Sequence, residues 1–103
     1  MGNPMRIRAK LDGDVIDVKV LMNHAMETGQ RKDATGAVVP AHFITKVTAS
    51  CKGKTVLEAD WGPSVSKNPL LGFRFKGAAA GDTVSVTWTD SMNDTRTDEA
   101  VIG

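Results

Sequence analysis

The sequence contains few of the residues on which most catalytic and metal sites depend. Its 103 residues include one cysteine, two histidines and no tyrosine. The single cysteine, Cys51, excludes an internal disulfide, and two histidines with one cysteine are too few for a closed zinc site. We interpret Cys51 as a small, partly buried residue of a strand, because no histidine or aspartate lies near it in sequence to activate the thiol. The alternatives are a nucleophile and an intermolecular disulfide.

An excess of charge of one sign and long hydrophobic runs are also missing. Lys and Arg number 13 against 12 Asp and Glu, which gives a net charge of +1. This balance excludes a generic nucleic-acid-binding protein. No apolar run approaches the roughly 18 residues that a membrane-spanning helix requires. Residues 1–8 lack an apolar stretch behind a basic start, so we expect no secretory signal peptide in this sequence.

β-branched residues are abundant and indicate a β-rich fold, since Val, Ile and Thr account for 25 of the 103 residues. Alternation of apolar and polar residues predicts about seven strands, separated by turn signals. The predicted strands lie at residues 5–11, 14–22, 41–50, 55–59, 71–75, 83–89 and 95–102. We therefore predict one domain over residues 1–103, an all-β immunoglobulin-like sandwich of antiparallel strands in two sheets.

Two local patterns make sharper predictions about the strands. Asp12-Gly13 predicts a tight hairpin between the first two strands, because such a turn needs a positive φ. In the third strand, strict alternation separates two faces. One face is predicted to carry Phe43, Thr45, Val47 and Ala49, and the opposite face His42, Ile44, Lys46 and Thr48.

Residues 27–37 and 61–69 break the alternation and are predicted to be irregular loops. Unpatterned segments as long as the first are uncommon in compact domains unless they bind something, and its arginine and carboxylates suit contact with another protein. The second contains two prolines, which exclude a central strand. Its adjacent Ser66 and Lys67 would point to opposite sides of an extended chain, so we predict a rigid turn and no serine–lysine catalytic pair.

One spacing suggests a metal site. In an extended chain Met22, His24 and Met26 share a face, and thioether and imidazole groups together are a plausible set of copper ligands. The alternative is that Met22 ends a core strand while the other two residues lie at the mouth of the following loop. Residues 90–94 offer too few ligands for a calcium loop, and no arrangement of residues indicates an enzyme.

The segment from His24 to Asp33 contains Met-Glu-Thr-Gly-Gln-Arg-Lys-Asp at residues 26–33, and this run is similar to the signature of the SoxZ family. Members of that family form one half of the SoxYZ sulfur-carrier complex of thiosulfate oxidation. Residues 65–69, Val-Ser-Lys-Asn-Pro, are similar to a second family pattern. Residues 5–8 and the Trp-Thr-Asp of residues 88–90 also agree, so the resemblance covers nearly the whole chain.

The resemblance implies an immunoglobulin-like fold and a scaffold role without catalysis and without a cofactor. It implies a heterodimer with a SoxY-like protein, whose flexible C-terminal arm carries sulfur intermediates on a cysteine. This sequence ends Glu99-Ala100-Val101-Ile102-Gly103, so we expect it to be the subunit without the carrier arm. The resemblance also implies a periplasmic protein that is exported with its partner, which supplies the export signal, and that reaches the other thiosulfate-oxidation enzymes through the complex.

We expect the two family-like loops to form part of the surface that meets the partner or the client enzymes. Arg31 is the expected energetic anchor, because arginine is enriched at binding hot spots. The predicted partner-binding residues are His24, Met26, Glu27, Thr28, Gly29, Gln30, Arg31, Lys32, Asp33, Ser66, Lys67 and Asn68.

Overall fold

The computed structural model describes residues 3–62 and 65–103, so Pro63 and Ser64 of the second predicted loop lie outside the described residues. The described residues form seven strands, and the all-β prediction is confirmed. These are β1 (Arg6–Asp12), β2 (Val15–Leu21), β3 (Ile44–Cys51), β4 (Lys54–Asp60), β5 (Leu70–Lys76), β6 (Thr83–Asp90) and β7 (Thr95–Val101). The described residues contain no helix that is long and apolar enough to cross a membrane.

The strands form two antiparallel sheets, one of order β1-β2-β5 and one of order β4-β3-β6-β7. The predicted hairpin is confirmed: Asp12 pairs with Val15, and Gly13 between them has a φ of 66°. The two sheets are also tied by the end of the chain, because the Gly103 N–H donates to the Ala9 carbonyl at 3.0 Å and the Leu11 N–H donates to the Gly103 carbonyl at 2.9 Å.

The core lies between the two sheets and follows the alternation of the sequence. On β2 every second residue faces inward, and Ile16, Val18 and Val20 are fully buried, as are Val84 and Val86 on β6. Burying one such side chain contributes about 1.5–3 kcal/mol, so these rows supply the main driving force for closing the sandwich.

The predicted faces of the third strand are wrong at its beginning. β3 begins at Ile44, and Ile44 is fully buried on the core side together with Val47 and Ala49, whereas Thr45 is only half-buried. The pairing of β3 with β6 shifts register between Ile44 and Lys46. Such a bulge inserts one extra residue and reverses the alternation, which a strict two-residue period cannot anticipate.

The loops that carry the candidate site meet at one end of the sandwich. β2 ends there and β5 begins there, since Leu21 pairs with Leu70, and β3 begins opposite the end of β6, since Ile44 pairs with Asp90. Cys51 lies at the other end of β3, about 23 Å away at the usual rise per strand residue. The Cys51 side chain is buried, as interpreted from the sequence, and burial raises the pKa of its thiol.

Candidate functional site

The centre of the loop end is the buried carboxylate of Asp90, the last residue of β6. Its Oδ2 accepts a hydrogen bond from His24 Nε2 at 3.1 Å and a second from His42 Nε2 at 2.6 Å. Its Oδ1 accepts the backbone N–H groups of Met92 at 3.0 Å and of Asp94 at 2.9 Å. One side chain therefore holds two loops and closes the β6–β7 hairpin.

These hydrogen bonds determine the charge state of Asp90. Burial raises the pKa of a carboxyl group, but the hydrogen bonds from His24 and His42 and from the Met92 backbone outweigh it, and the pKa of Asp90 lies below its ordinary value. Asp90 is therefore a buried carboxylate anion at neutral pH, stabilised by converging donors.

The ring of His24 is fixed on both of its nitrogens. Its Nδ1 accepts the Met26 N–H at 3.1 Å, so in the neutral ring the proton is on Nε2, where it is donated to Asp90. The ring also packs edge-on against Trp88, with centroids 5.1 Å apart, and against the His42 ring at 4.7 Å. His24 is thus a buried structural histidine with both ring nitrogens hydrogen-bonded within the chain.

Asn68 joins the second predicted loop to the same centre. Its side-chain Oδ1 accepts the His24 N–H at 3.1 Å, and its own N–H donates to the His24 carbonyl at 2.9 Å. Asn68 has a φ of 51°, a left-handed conformation that asparagine tolerates better than most residues. The structure therefore brings together two predicted site residues that lie 44 positions apart.

The first loop begins with an ion pair on its surface. The exposed Arg31 donates from Nη2 to Glu27 Oε1 at 2.7 Å and from Nε to both carboxylate oxygens. This pairing lowers the pKa of Glu27 and raises that of Arg31. The Glu27 backbone pairs with His42 in both directions, at 2.7 and 2.9 Å, which connects the loop to the centre at Asp90.

The rest of the first loop is ordered by its own hydrogen bonds. Thr28 Oγ1 accepts the Gln30 N–H at 3.1 Å, and Lys32 forms an isolated bridge with Val38. Asp33 accepts both the N–H and the hydroxyl of Thr35, at 2.8 and 2.6 Å, and these bonds lower the pKa of Asp33. The residues of this predicted loop therefore form a folded turn.

The two family-like loops also meet at the surface. A shallow cleft is lined by Ala25, Met26, Glu27, Thr28 and Arg31 from the first loop and by Lys67 from the second. Ser66 lies beside Lys67 and is exposed. Six of the twelve predicted partner-binding residues have a defined place here: His24, Met26 and Asn68 anchor the loops, and Glu27, Arg31 and Lys67 carry charge at the cleft.

The three residues of the hypothetical copper site share a buried face. The donor atoms of His24 and Met26 are used in hydrogen bonds within the chain, and Met22 is packed in the core. Met22 is fully buried and Met26 is 5% exposed, and both belong to the core. The Met26 sulfur accepts the Ile44 N–H at 3.3 Å. This geometry agrees with the alternative interpretation, in which Met22 ends a core strand, and gives no support to copper binding by these three residues.

Within residues 3–62 and 65–103, one group of possible metal ligands occurs: His24, His42 and Asp90, with donor atoms within 4.8 Å of one another. A metal would need a lone pair on His24 Nε2, and that nitrogen carries the proton as long as Nδ1 accepts the Met26 N–H. The arrangement as it stands is therefore a hydrogen-bonded cluster, which we call the His–Asp cluster.

Sequence reasoning missed two of the three members of the His–Asp cluster. His42 was predicted as a strand residue, and Asp90 was noted in the family-like Trp-Thr-Asp and in a segment with too few calcium ligands, but neither was predicted as a site residue. One feature of the sequence could have indicated Asp90: it is an aspartate at the end of a strand whose alternate residues are apolar, in a chain with two histidines that could pair with it. Nothing local in the sequence connects positions 24, 42 and 90.

The two-sheet arrangement defines the class of protein, an immunoglobulin-like β-sandwich, and solved structures share it. A hypothetical protein from Pyrococcus horikoshii OT3 matches with a TM-score of 0.67 at 16% identity, over 98% of this chain and 88% of that one. A superoxide reductase in the oxidised state matches at 0.58 and 13%, over 96% and 86%. Superoxide reductase (neelaredoxin) from Archaeoglobus fulgidus matches at 0.55 and 17%, over 95% and 84%. At these identities the likeness shows the fold alone.

The family is given by the sequence as a whole. The profile of the family described as "Sulphur oxidation protein SoxZ" matches residues 5–101. The chain therefore belongs to the SoxZ family of sulfur oxidation proteins, and the resemblance seen in its loops is confirmed. A search of curated proteins finds no significant match.

Proposed function

We propose that this protein is a non-catalytic scaffold subunit that pairs with a SoxY-like carrier protein during thiosulfate oxidation. The carrier would hold the sulfur intermediates on the cysteine of its C-terminal arm, and this chain would give the arm a rigid base. Membership of the SoxZ family, over residues 5–101, is the observation that carries the proposal.

The surface that we assign to the partner is the cleft between the two family-like loops. Arg31 and Lys67 present cations there, and the Glu27 carboxylate holds Arg31 in place. Behind the cleft, hydrogen bonds to His24 and Asp90 fix both loops, so binding would not have to order them. A preordered surface loses less conformational entropy on association, which favours a stable complex.

A role without catalysis agrees with the state of the reactive groups. The Cys51 thiol is buried at the end of the sandwich opposite the His–Asp cluster, so the cluster is too distant to activate it. In the cluster itself, both nitrogens of His24 and both oxygens of Asp90 are occupied by hydrogen bonds within the chain.

Coexpression with a SoxY-like protein tests the proposal. We expect the two chains to copurify as a one-to-one complex through gel filtration, and the isolated chain to show no turnover of thiosulfate. Separate elution of the two chains at micromolar concentration would contradict the pairing, and turnover by the isolated chain would contradict the scaffold role.

Single substitutions locate the interface. We expect Arg31→Ala to weaken the heterodimer by about 1–2 kcal/mol in isothermal titration calorimetry, as is usual for an arginine near the centre of an interface. Lys67→Ala should weaken it less, because a rim charge acts mainly on the association rate. Lys54→Ala, an exposed lysine on β4, is the control. An effect of Arg31→Ala below about 0.5 kcal/mol would mean that Arg31 is a bystander.

We further propose that the protein works in the periplasm and is exported with its partner. Fractionation of cells that express the carrier with or without its export signal tests this. We expect this chain in the periplasmic fraction only when the carrier retains its signal, and a periplasmic location in both cases would contradict joint export.

A further inference from the structure

Charge is unevenly distributed over the two sheets. The outer face of the β1-β2-β5 sheet carries six of the 13 Lys and Arg residues, against Asp12 and Asp17. We call this surface the basic face: Arg6, Arg8, Lys10, Lys19, Arg74 and Lys76. The other sheet has exposed charges of both signs, namely Lys46, Lys54, Glu58, Asp60 and Glu99. A net charge of +1 for the chain therefore conceals a local excess of positive charge.

Two cations of the basic face form ion pairs with described carboxylates. Arg74 lies 3.7 Å from Asp17, and Lys76 lies 3.5 Å from Asp14. The other four, all on β1 and β2, form no ion pair with any residue that the structure describes. Lys10 lies directly across from Asp17, whereas Arg6, Arg8 and Lys19 have no carboxylate opposite them in the register of β1 and β2. These three cations attract anionic groups at a range set by the Debye length, about 8 Å at physiological ionic strength.

The arrangement also costs the sheet some stability. Arg8 and Lys19 are direct cross-strand neighbours, and like charges in that position repel. Charged residues on an edge strand discourage unwanted strand pairing, which would account for Arg8 on β1. That explanation does not apply to Lys19, because β2 is the central strand of its sheet. The repulsion would be relieved by an anionic partner.

An apolar spot adjoins the unpaired cations. Leu21 and Leu70 pair across β2 and β5, in the same row as Arg6, and are 44% and 68% exposed. They line a shallow hollow together with Arg6, Arg8 and Lys19. Arginine around an exposed apolar centre is typical of protein–protein interfaces, whereas a surface for nucleic acid would have no use for the leucine pair.

We propose that the basic face binds an acidic protein surface, with carboxylates on the unpaired cations and an apolar side chain on Leu21 and Leu70. This second contact goes beyond the proposed pairing, because it uses the flank of the sandwich and not the cleft between the loops. Its use by a client enzyme rests on the proposed function, because a scaffold subunit that keeps its carrier bound at the cleft can meet other proteins only through a surface outside the cleft.

Residue-resolved NMR titration of the full chain tests the proposal with three probes: a short peptide of glutamate and leucine, an oligothymidylate of equal charge, and phosphatidylglycerol vesicles. We expect the peptide to shift the amide signals of β1 and β2 and the leucine pair, with an affinity that falls as salt is raised. Arg8→Glu should weaken this binding about tenfold. Lys54→Glu on the other sheet, with the same change of net charge, should leave it unchanged.

Arg8→Glu places a carboxylate opposite Lys19, so this variant should be at least as stable as the original chain and loss of binding cannot be attributed to misfolding. Equal weakening by Lys54→Glu would overturn the proposal, since binding would then follow net charge alone. Tighter binding of the oligothymidylate or the vesicles at the same residues would also overturn it in favour of another class of partner.

Discussion

Replacement of Asp90 by asparagine tests the role of the His–Asp cluster most directly. The carboxylate accepts four hydrogen bonds, two from imidazole rings and two from backbone N–H groups, and its side chain has no exposed surface. An asparagine oxygen can keep the two backbone bonds. Its NH₂ group would then face the N–H groups of His24 and His42, so that donors oppose donors.

The expected loss follows from what each histidine can do in Asp90→Asn. His24 cannot change tautomer without losing the bond from the Met26 N–H, so a buried donor is left unsatisfied, at a cost of about 1–3 kcal/mol. The side chain of His42 is 36% exposed and can turn to water, which limits its contribution. Removing a buried charge offsets part of the loss. We expect a decrease of about 2–4 kcal/mol in the free energy of unfolding.

Urea denaturation followed by tryptophan fluorescence measures this loss, since Trp88 packs against the His24 ring. A decrease of that size moves the midpoint by roughly 1–3 M urea. The control is Asp14→Asn, because the Asp14 side chain is 80% exposed and its contact with Lys76 should contribute less than about 1 kcal/mol. A loss below about 1 kcal/mol in Asp90→Asn, with an unchanged dependence on urea, would refute the reasoning.

The pH dependence of stability gives a second readout for the same variant. The pKa of Asp90 in the folded protein is below its ordinary value of 3.8, so the unfolded chain binds a proton at Asp90 more readily than the folded chain does. This contribution is present above pH 3.8 and is lost as the pH falls toward the lowered pKa. In Asp90→Asn the free energy of unfolding should therefore fall less steeply with decreasing pH in that range. The same pH dependence in the variant and the original chain would contradict the lowered pKa of Asp90.

Three further outcomes can be measured on the isolated chain. Cys51 is 4% exposed and burial raises its thiol pKa, so a thiol reagent should label it far more slowly in the native than in the unfolded protein; fast native labelling would contradict this. Copper titration should show no tight site that is lost in His24→Ala, because the Met26 sulfur and both His24 nitrogens are already engaged. Gly29→Ala should lower stability by about 1 kcal/mol or more, since Gly29 has a φ of 87° and a Cβ would lie 3.1 Å from that of Ala41; an unchanged melting temperature would contradict it.

The strands were predictable from the sequence because their alternation is a local property. The pattern of β2 identifies Ile16, Val18 and Val20 as core residues, and the structure buries all three completely. The prediction fails where the alternation is interrupted, at the bulge after Ile44, because a bulge depends on how β3 pairs with β6 and not on β3 alone.

The loops were predictable as irregular segments, but the way they are held was not. The His–Asp cluster joins positions separated by 48 and 66 residues. The His42–Asp90 contact depends on the pairing of β3 with β6 within one sheet, and the His24–Asp90 contact arises only when the two sheets are closed on each other. The sequence therefore indicates which residues are available at the loop end, while the shared acceptor is a product of the tertiary fold.

The His–Asp cluster connects the stability of the fold to the proposed binding surface. Asp90 holds His24 and His42, and the backbone of His42 holds Glu27, whose side chain pairs with Arg31 on the cleft. These contacts form a continuous series of hydrogen bonds from Asp90 to Arg31. We therefore expect a loss of the bonds at Asp90 to change the position of the Arg31 side chain. A partner that binds Arg31 in this geometry would in turn stabilise the folded chain by mass action. Asp90→Asn should therefore weaken the proposed heterodimer even though Asp90 itself does not reach the surface.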